Sequence, residues 1–248
     1  MELVATLDAD PRHTAALCWH NGKLYTGGQG KQVVEWVDLQ ESRRFAEHGA
    51  SVNRIEPVEG GFVTCSSDHT VRRWTWAGEE LWQIAGDNVR VVQGGLLVVK
   101  PNGRLIRTDL EGQELEAYPK TDKICDLLWD DGPVLATKSG LWRDGALLWD
   151  AEWVTQLGQH PEGWFAAQHE GSMRVYDSAW NLLREEPAPG AFLQYHNGTP
   201  CFVSDGSIHY GADSFDVGLK GVYGCCIAGG LLANAAADGN VRVFKLTR

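Results

Sequence analysis

A unit of about 35 residues returns along this chain from one end to the other, and that self-similarity restricts the fold more than any single motif. Its clearest copy is Phe62 to Trp76, FVTCSSDHTVRRWTW. Phe62 to Ser66 alternate apolar with small or polar residues, Ser67, Asp68 and His69 carry turn chemistry, and Val71 to Trp76 resume a β-rich alternation. Aligned on the turn and the apolar strand after it, the unit appears seven times, with landmarks Gly30, His69, Gly103, Gly140, Gly171, Gly206 and Gly239. Successive landmarks lie 39, 34, 37, 31, 35 and 33 residues apart. That spacing is too long for a hairpin array and too short for independent domains.

Each unit reads as four short strands. In the second they are SVNRIEPV, FVTCS, TVRRWTW and EELWQIA; in the fourth KICDLLW, PVLATK, GLWR and ALLWDA. Asn-Gly or Asp-Gly begins at positions 21, 102, 131, 144, 197, 205 and 238, always between candidate strands, and is expected to form hairpin turns with both central residues at positive φ. The seventh unit supplies only GVYGCCIA, LLANAAA and NVRVFKL, while ELVATL at residues 2 to 7 has no partner nearby in sequence. The two deficits are complementary. They predict that strand 2–7 completes the last unit, 221–246, and so hides a strand edge that would otherwise invite pairing with other chains. The expectation is one domain over 1–248, with no helix beyond a turn or two.

Charge narrows the partners. Lys and Arg number 22 against 33 Asp and Glu, a net charge of −11 with a pI near 5.1. Duplex DNA and anionic membranes are recognised by neutralising phosphates with clustered Lys and Arg, so neither is expected as the partner; contact residues on a partner are expected to be basic or neutral. The N-terminus lacks a basic stretch followed by an apolar core, and no run of about 18 apolar residues occurs, which predicts a soluble, cytoplasmic chain. Cys18, Cys65, Cys125, Cys201, Cys225 and Cys226 each sit in an apolar strand segment without a C-x-x-C spacing, and read as reduced packing residues.

His48 opening HGASVNRI, then VTCSSD ending at Asp68, then TVRRW ending at Trp74, resembles one WD40 repeat. The resemblance implies an all-β fold, a seven-bladed β-propeller whose ring is closed by the N-terminal strand pairing with the last blade. It also implies a buried hydrogen-bond chain through His48, Thr64 or Ser66, Asp68 and Trp74. Such a network fixes strand register when every member is satisfied. Asp205, Asp238, Trp36, Tyr176-Asp177 and Phe244 keep parts of the pattern, His13 offers a second His ahead of a first strand, and the Gly-His dipeptide is absent throughout.

No catalytic, cofactor or metal site is expected. The segment GGQGK at 27–31 fails as a phosphate loop, because Tyr25 stands where the loop needs Gly and Gln32 where it needs Ser or Thr. The eight histidines show no metal spacing, and no G-x-S-x-G occurs. Glu79-Glu80, Asp130-Asp131 and Glu185-Glu186 lie at turns, where they solubilise the chain. Among the eleven tryptophans, Trp36, Trp74 and Trp142 fall where a propeller packs its third strand and are expected in the core, whereas Trp153 begins an inner strand. Trp, Tyr and Arg supply much of the binding energy at protein interfaces. Asn53, Arg90, Lys123, Trp153 and Tyr223, taken as matching first-strand positions, form the candidate partner-binding rim.

These expectations describe a non-enzymatic interaction scaffold, a subunit of a larger complex that binds a protein or peptide on one face, as the resemblance implies. An alternative is an enzyme of hydrolase or lyase type centred on the channel, for which the inner strands offer Glu56, Asp126 and Cys125; RNA binding is a further one.

Overall fold

The computed structural model describes residues 1–10, 12–168, 171–204, 206–216 and 222–246; Asp205 and His169 lie outside the described residues. Among these the chain forms seven four-stranded antiparallel sheets and no helix. In chain order the strands are β1 (Glu2–Asp8); β2 (Thr14–His20), β3 (Lys23–Gly28), β4 (Val33–Val37) and β5 (Gln40–Phe45); β6 (Val52–Val58), β7 (Gly61–Ser66), β8 (Thr70–Thr75) and β9 (Glu80–Ala85); and β10 (Asn88–Val92), β11 (Gly95–Val99), β12 (Leu105–Thr108) and β13 (Glu114–Ala117). There follow β14 (Ile124–Trp129), β15 (Pro133–Thr137), β16 (Gly140–Arg143) and β17 (Ala146–Trp149); β18 (Val154–His160), β19 (Gly163–Gln168), β20 (Ser172–Tyr176) and β21 (Leu182–Pro187); β22 (Ala191–His196), β23 (Thr199–Ser204), β24 (Ser207–Tyr210) and β25 (Asp213–Asp216); and finally β26 (Val222–Ala228), β27 (Leu231–Ala236) and β28 (Asn240–Lys245).

Six sheets run in simple sequence order. The seventh has the order β1-β28-β27-β26, so the first strand of the chain lies beside the last, with Glu2 opposite Lys245 and Asp8 opposite Asn240. The chain divides into two compact units, residues 1–118 with 218–248, holding four sheets, and 119–217, holding three.

Within each unit neighbouring sheets pack face against face. In the four-sheet unit Leu7, Val241 and Val243 meet Leu24, Val34 and Trp36 in one cluster, Tyr25 and Val33 meet Ile55, Phe62 and Trp74 in a second, and Val63 and Val71 meet Leu96, Val98 and Ile106 in a third. In the three-sheet unit Val134, Ala136 and Leu141 pack on Val154, Leu157 and Ala166, and Phe165, Met173 and Val175 on Leu193. A strand covered on both faces loses its period-2 polarity. That is why β7, β11 and β15 are buried at every residue while β13, fourth in its sheet, is exposed at every residue.

Two expectations are corrected. Of the Asn-Gly and Asp-Gly pairs with both residues described, only 21–22, 144–145 and 197–198 place both at positive φ. At 102–103 and 238–239 only the glycine does so, because each closes a turn in which its N–H donates to the residue three before it, Lys100 and Ala236; at 131–132 only Asp131 is left-handed. Trp142, expected in the core, is half-buried, and the buried tryptophans beside Tyr176 are Trp149 and Trp180. The short β16–β17 hairpin is the reason: it sets Trp149 at its far end, opposite Leu141.

Candidate functional site

The side chains that the sequence linked around His48 meet in the second sheet. His48 precedes β6, Thr64 and Ser66 stand on β7, Asp68 in the turn after it and Trp74 on β8. Trp74 Nε1 donates to Thr64 Oγ1 at 2.9 Å, and Thr64 Oγ1 lies 2.6 Å from His48 Nε2. His48 Nδ1 lies 3.0 Å from Asp68 Oδ2. A hydroxyl that accepts from an indole gives its own proton onward, so Thr64 donates to Nε2 and Nδ1 carries the proton given to Asp68. One neutral tautomer satisfies every member. Burial lowers the His48 pKa from 6.5, with the Asp68 carboxylate opposing it, and the uncharged ring donates its Nδ1–H to that carboxylate.

Burial pushes the Asp68 carboxyl upward, but hydrogen bonds from Thr70, the Gly49 N–H and His48 together outweigh it and hold the group well below the ordinary carboxylate range. Arg72 Nη2 adds a contact at 3.3 Å. Ser66 has other work: its hydroxyl donates to Ala50 O and accepts the Asp68 N–H, both at 3.1 Å.

A backbone hydrogen bond shows which residues correspond from sheet to sheet. The connection entering a sheet donates an N–H to the turn between the second and third strands of the sheet before it: Asp10 to Gly239 O, His48 to Lys31 O, Gly86 to His69 O, Trp153 to Lys138 O and Ala188 to Gly171 O, at 2.8 to 3.1 Å. Asp10, not His13, therefore occupies the place of His48. Its buried carboxylate accepts the N–H groups of Arg12 and of Gly30 in the next turn, so the acid stands on the connection and the turn supplies the donor. In the same sheet Trp36 Nε1 donates to Thr26 Oγ1 at 3.0 Å. Sequence reasoning missed Thr26 and Asp10, although Thr26 precedes Trp36 by the ten residues that separate Thr64 from Trp74.

The five rim candidates do not share one structural position. In six sheets the first strand carries a bulge, and Asn53 and Tyr223 are the extra residues there, matching Ala15, Cys125 and Thr155. Lys123 precedes β14 and offers its carbonyl to the Lys138 N–H at 3.0 Å, as Ser51 does to Ser67. Trp153 holds the latch position of His48, and Arg90 lies opposite Leu97 on β10, whose ladder with β11 has no bulge. Bulges displace the strand count by one, which sequence spacing cannot register.

The inner-strand carboxylates act on the backbone. Glu56 Oε2 accepts the Val91 N–H at 2.7 Å and its Oε1 the Arg90 guanidinium at 2.9 Å. Asp126 accepts the Leu157 N–H at 3.1 Å, and Gln156, with its amide oxygen toward β22, accepts Phe192 N–H at 2.7 Å and Leu193 N–H at 3.1 Å. Each stitches a first strand to the first strand of the next sheet. Among the described residues no three His, Cys, Asp or Glu side chains converge as metal ligands.

Among the described residues of the three-sheet unit Trp153 is the one exposed aromatic. Trp153 is 41% exposed with φ +54, a left-handed backbone that is rare for a bulky residue. Lys123 Nζ lies 5.4 Å and Lys138 Nζ 5.5 Å from the centroid of its ring. The backbone hydrogen bonds from Lys138 to Lys123 and from Trp153 to Lys138 join the three residues in series.

No known family profile and no curated protein matches the sequence. Solved structures do match. The fold is similar to the WD40 β-propeller domain of Doa1, with a TM-score of 0.82, 12% identity and coverage of 100% of this chain and 97% of that one. It is similar also to the computationally designed Ika8 protein, with a TM-score of 0.78, 16% identity and coverage of 99% and 100%. At these identities the likeness is one of fold: all-β, seven sheets, the seven-bladed WD40-type propeller.

Proposed function

We propose that this protein is a non-enzymatic interaction module, a subunit of a larger assembly that holds a segment of a partner protein. The observation carrying this reading is Trp153. Its counterparts at the same latch, Asp10, His48, Gly86 and Ala188, are small or turned inward, whereas Trp153 holds a large aromatic surface in solvent on a strained backbone. Strain of that kind costs about 1–3 kcal/mol and clusters at ligand-holding sites; Trp180 also has a left-handed φ but is buried, so it is the exposure at Trp153 that singles it out. Exposed Tyr223, 4.8 Å from the His13 ring, is a smaller surface of the same kind in the other unit. The WD40-type fold and a chain made almost wholly of sheets support the reading, and six cysteines present as thiols suit a reducing, cytoplasmic setting. The net charge of −11 argues against DNA and anionic membranes as partners. Affinity-tagged protein recovered from its native cells should carry a partner protein in near-stoichiometric amount. Recovery of the chain alone would overturn the proposal.

A further inference from the structure

Residues 119–217 hold six basic residues against fifteen acidic ones, and the arrangement of the six is uneven. The three arginines all have carboxylate partners: Arg143 with Asp130 and Asp144, Arg174 with Glu185, Arg184 with Glu162 and Glu186. The three lysines, Lys120, Lys123 and Lys138, are all exposed, and two of them, Lys123 and Lys138, stand against Trp153. Among the described residues neither Lys123 nor Lys138 makes an ion pair; each instead faces the Trp153 ring. An otherwise acidic unit thus keeps its uncompensated cations around its one exposed tryptophan.

We infer that Lys123, Lys138 and Trp153 form the anchor for an acidic segment of a partner protein, with a carboxylate between the ammonium groups and an adjoining apolar side chain on the indole. This rests on the interaction-module reading and names the partner chemistry. The backbone hydrogen bonds linking the three residues fix their spacing before binding, which lowers the ordering cost. The two ammonium groups over the ring are the cations here without a carboxylate partner among the described residues, so a group complementary to this anchor is a carboxylate. Asp122, Asp150 and Glu152 are exposed close by in the chain, and the Asp122 carboxylate accepts the Lys123 N–H at 2.7 Å. They bound the positive zone, which suits one or two carboxylates on a peptide and repels a continuous polyanion such as an RNA strand.

Fluorescence anisotropy on the full chain tests this with a labelled peptide of alternating Glu and Leu, its Gln-for-Glu counterpart and an oligouridine. The acidic peptide is expected to bind, to lose about tenfold in affinity on Gln replacement or in Lys123→Ala and Lys138→Ala, and to weaken as salt rises. Trp153→Gly should lose binding while keeping or raising thermal stability, because glycine adopts φ +54 without strain. Absent binding, equal binding of the Gln peptide, unchanged affinity in the variants, or preferential binding of oligouridine would each overturn the anchor. The same variants, tagged and recovered from native cells, separate the two readings. A partner retained equally by wild type and all three variants leaves the module intact and removes the anchor. Loss of the partner by the variants, with its displacement from wild type by excess acidic peptide, accords with both, and a wild-type chain recovered alone removes the module while the titration still decides the anchor.

Discussion

The indole N–H of Trp36 meets the hydroxyl of Thr26 at 3.0 Å, on the same two strands of the first sheet on which Trp74 meets Thr64 in the second. The two pairs differ in what lies beyond the hydroxyl. Thr64 passes its proton to His48, while Asp10 in the equivalent place is bound to backbone N–H groups. One sheet therefore carries a four-member chain and the other two separate links.

That difference predicts unequal costs for the same substitution. Thr64→Val leaves two buried groups, His48 Nε2 and Trp74 Nε1, without partners and should destabilise by about 2–4 kcal/mol. Thr26→Val strands Trp36 Nε1 and should cost about 1–2 kcal/mol. Urea denaturation of both variants measures the gap, and equal costs would show that the chain does not act as a unit.

His48 should make stability depend on pH. Its folded-state pKa lies below 6.5 because burial disfavours the charged ring, so the unfolded chain binds the extra proton. Its contribution is complete above pH 6.5 and is lost as pH falls through the folded-state value. Melting temperatures of wild type should decline between about pH 7 and 5 more steeply than those of His48→Gln. Asp238, brought down to about 2 by Arg242 and Asn240 against an opposing effect of burial, adds stability present above its ordinary 3.8 and lost only as pH falls toward 2.

Deleting residues 1–8 should cost several kcal/mol, since it removes the ladder from Glu2↔Lys245 to Asp8↔Asn240, at about 1 kcal/mol per hydrogen bond, together with the buried Leu7. The bared edge of β28 should also promote self-association. Sedimentation and thermal melting report both effects, and an unchanged monomer would show that β1 is dispensable.

The thiols should react in an order set by burial. Desolvation raises Cys18 to about 12 and Cys65 to about 11, with Glu56 adding to the shift at Cys18, and both are buried. A brief alkylation pulse at about pH 8, read by mass spectrometry, should label half-exposed Cys125 well before either. Early labelling of Cys65 would contradict the packing of β7.

Much of this was legible in the chain. The strands of the second sheet and the role of strand 2–7 follow from periodicity, and the residues linked around His48 follow from the resemblance of one well-kept unit to a WD40 repeat. Asp10 and Thr26 escaped notice because their sheet divides one network into two, so no single residue string carries it. The rim candidates were aligned by counting along first strands, and a bulge in six of the seven changes that count without altering the composition.

Local order came from residue types, because alternation, turn chemistry and apolar runs act over a few neighbours and write strands directly into the chain. Correspondence between sheets came from folding alone. Which connection latches onto which turn, which carboxylate caps a neighbouring strand, and which tryptophan is left in solvent depend on groups brought together from distant positions, and no short-range pattern encodes that meeting.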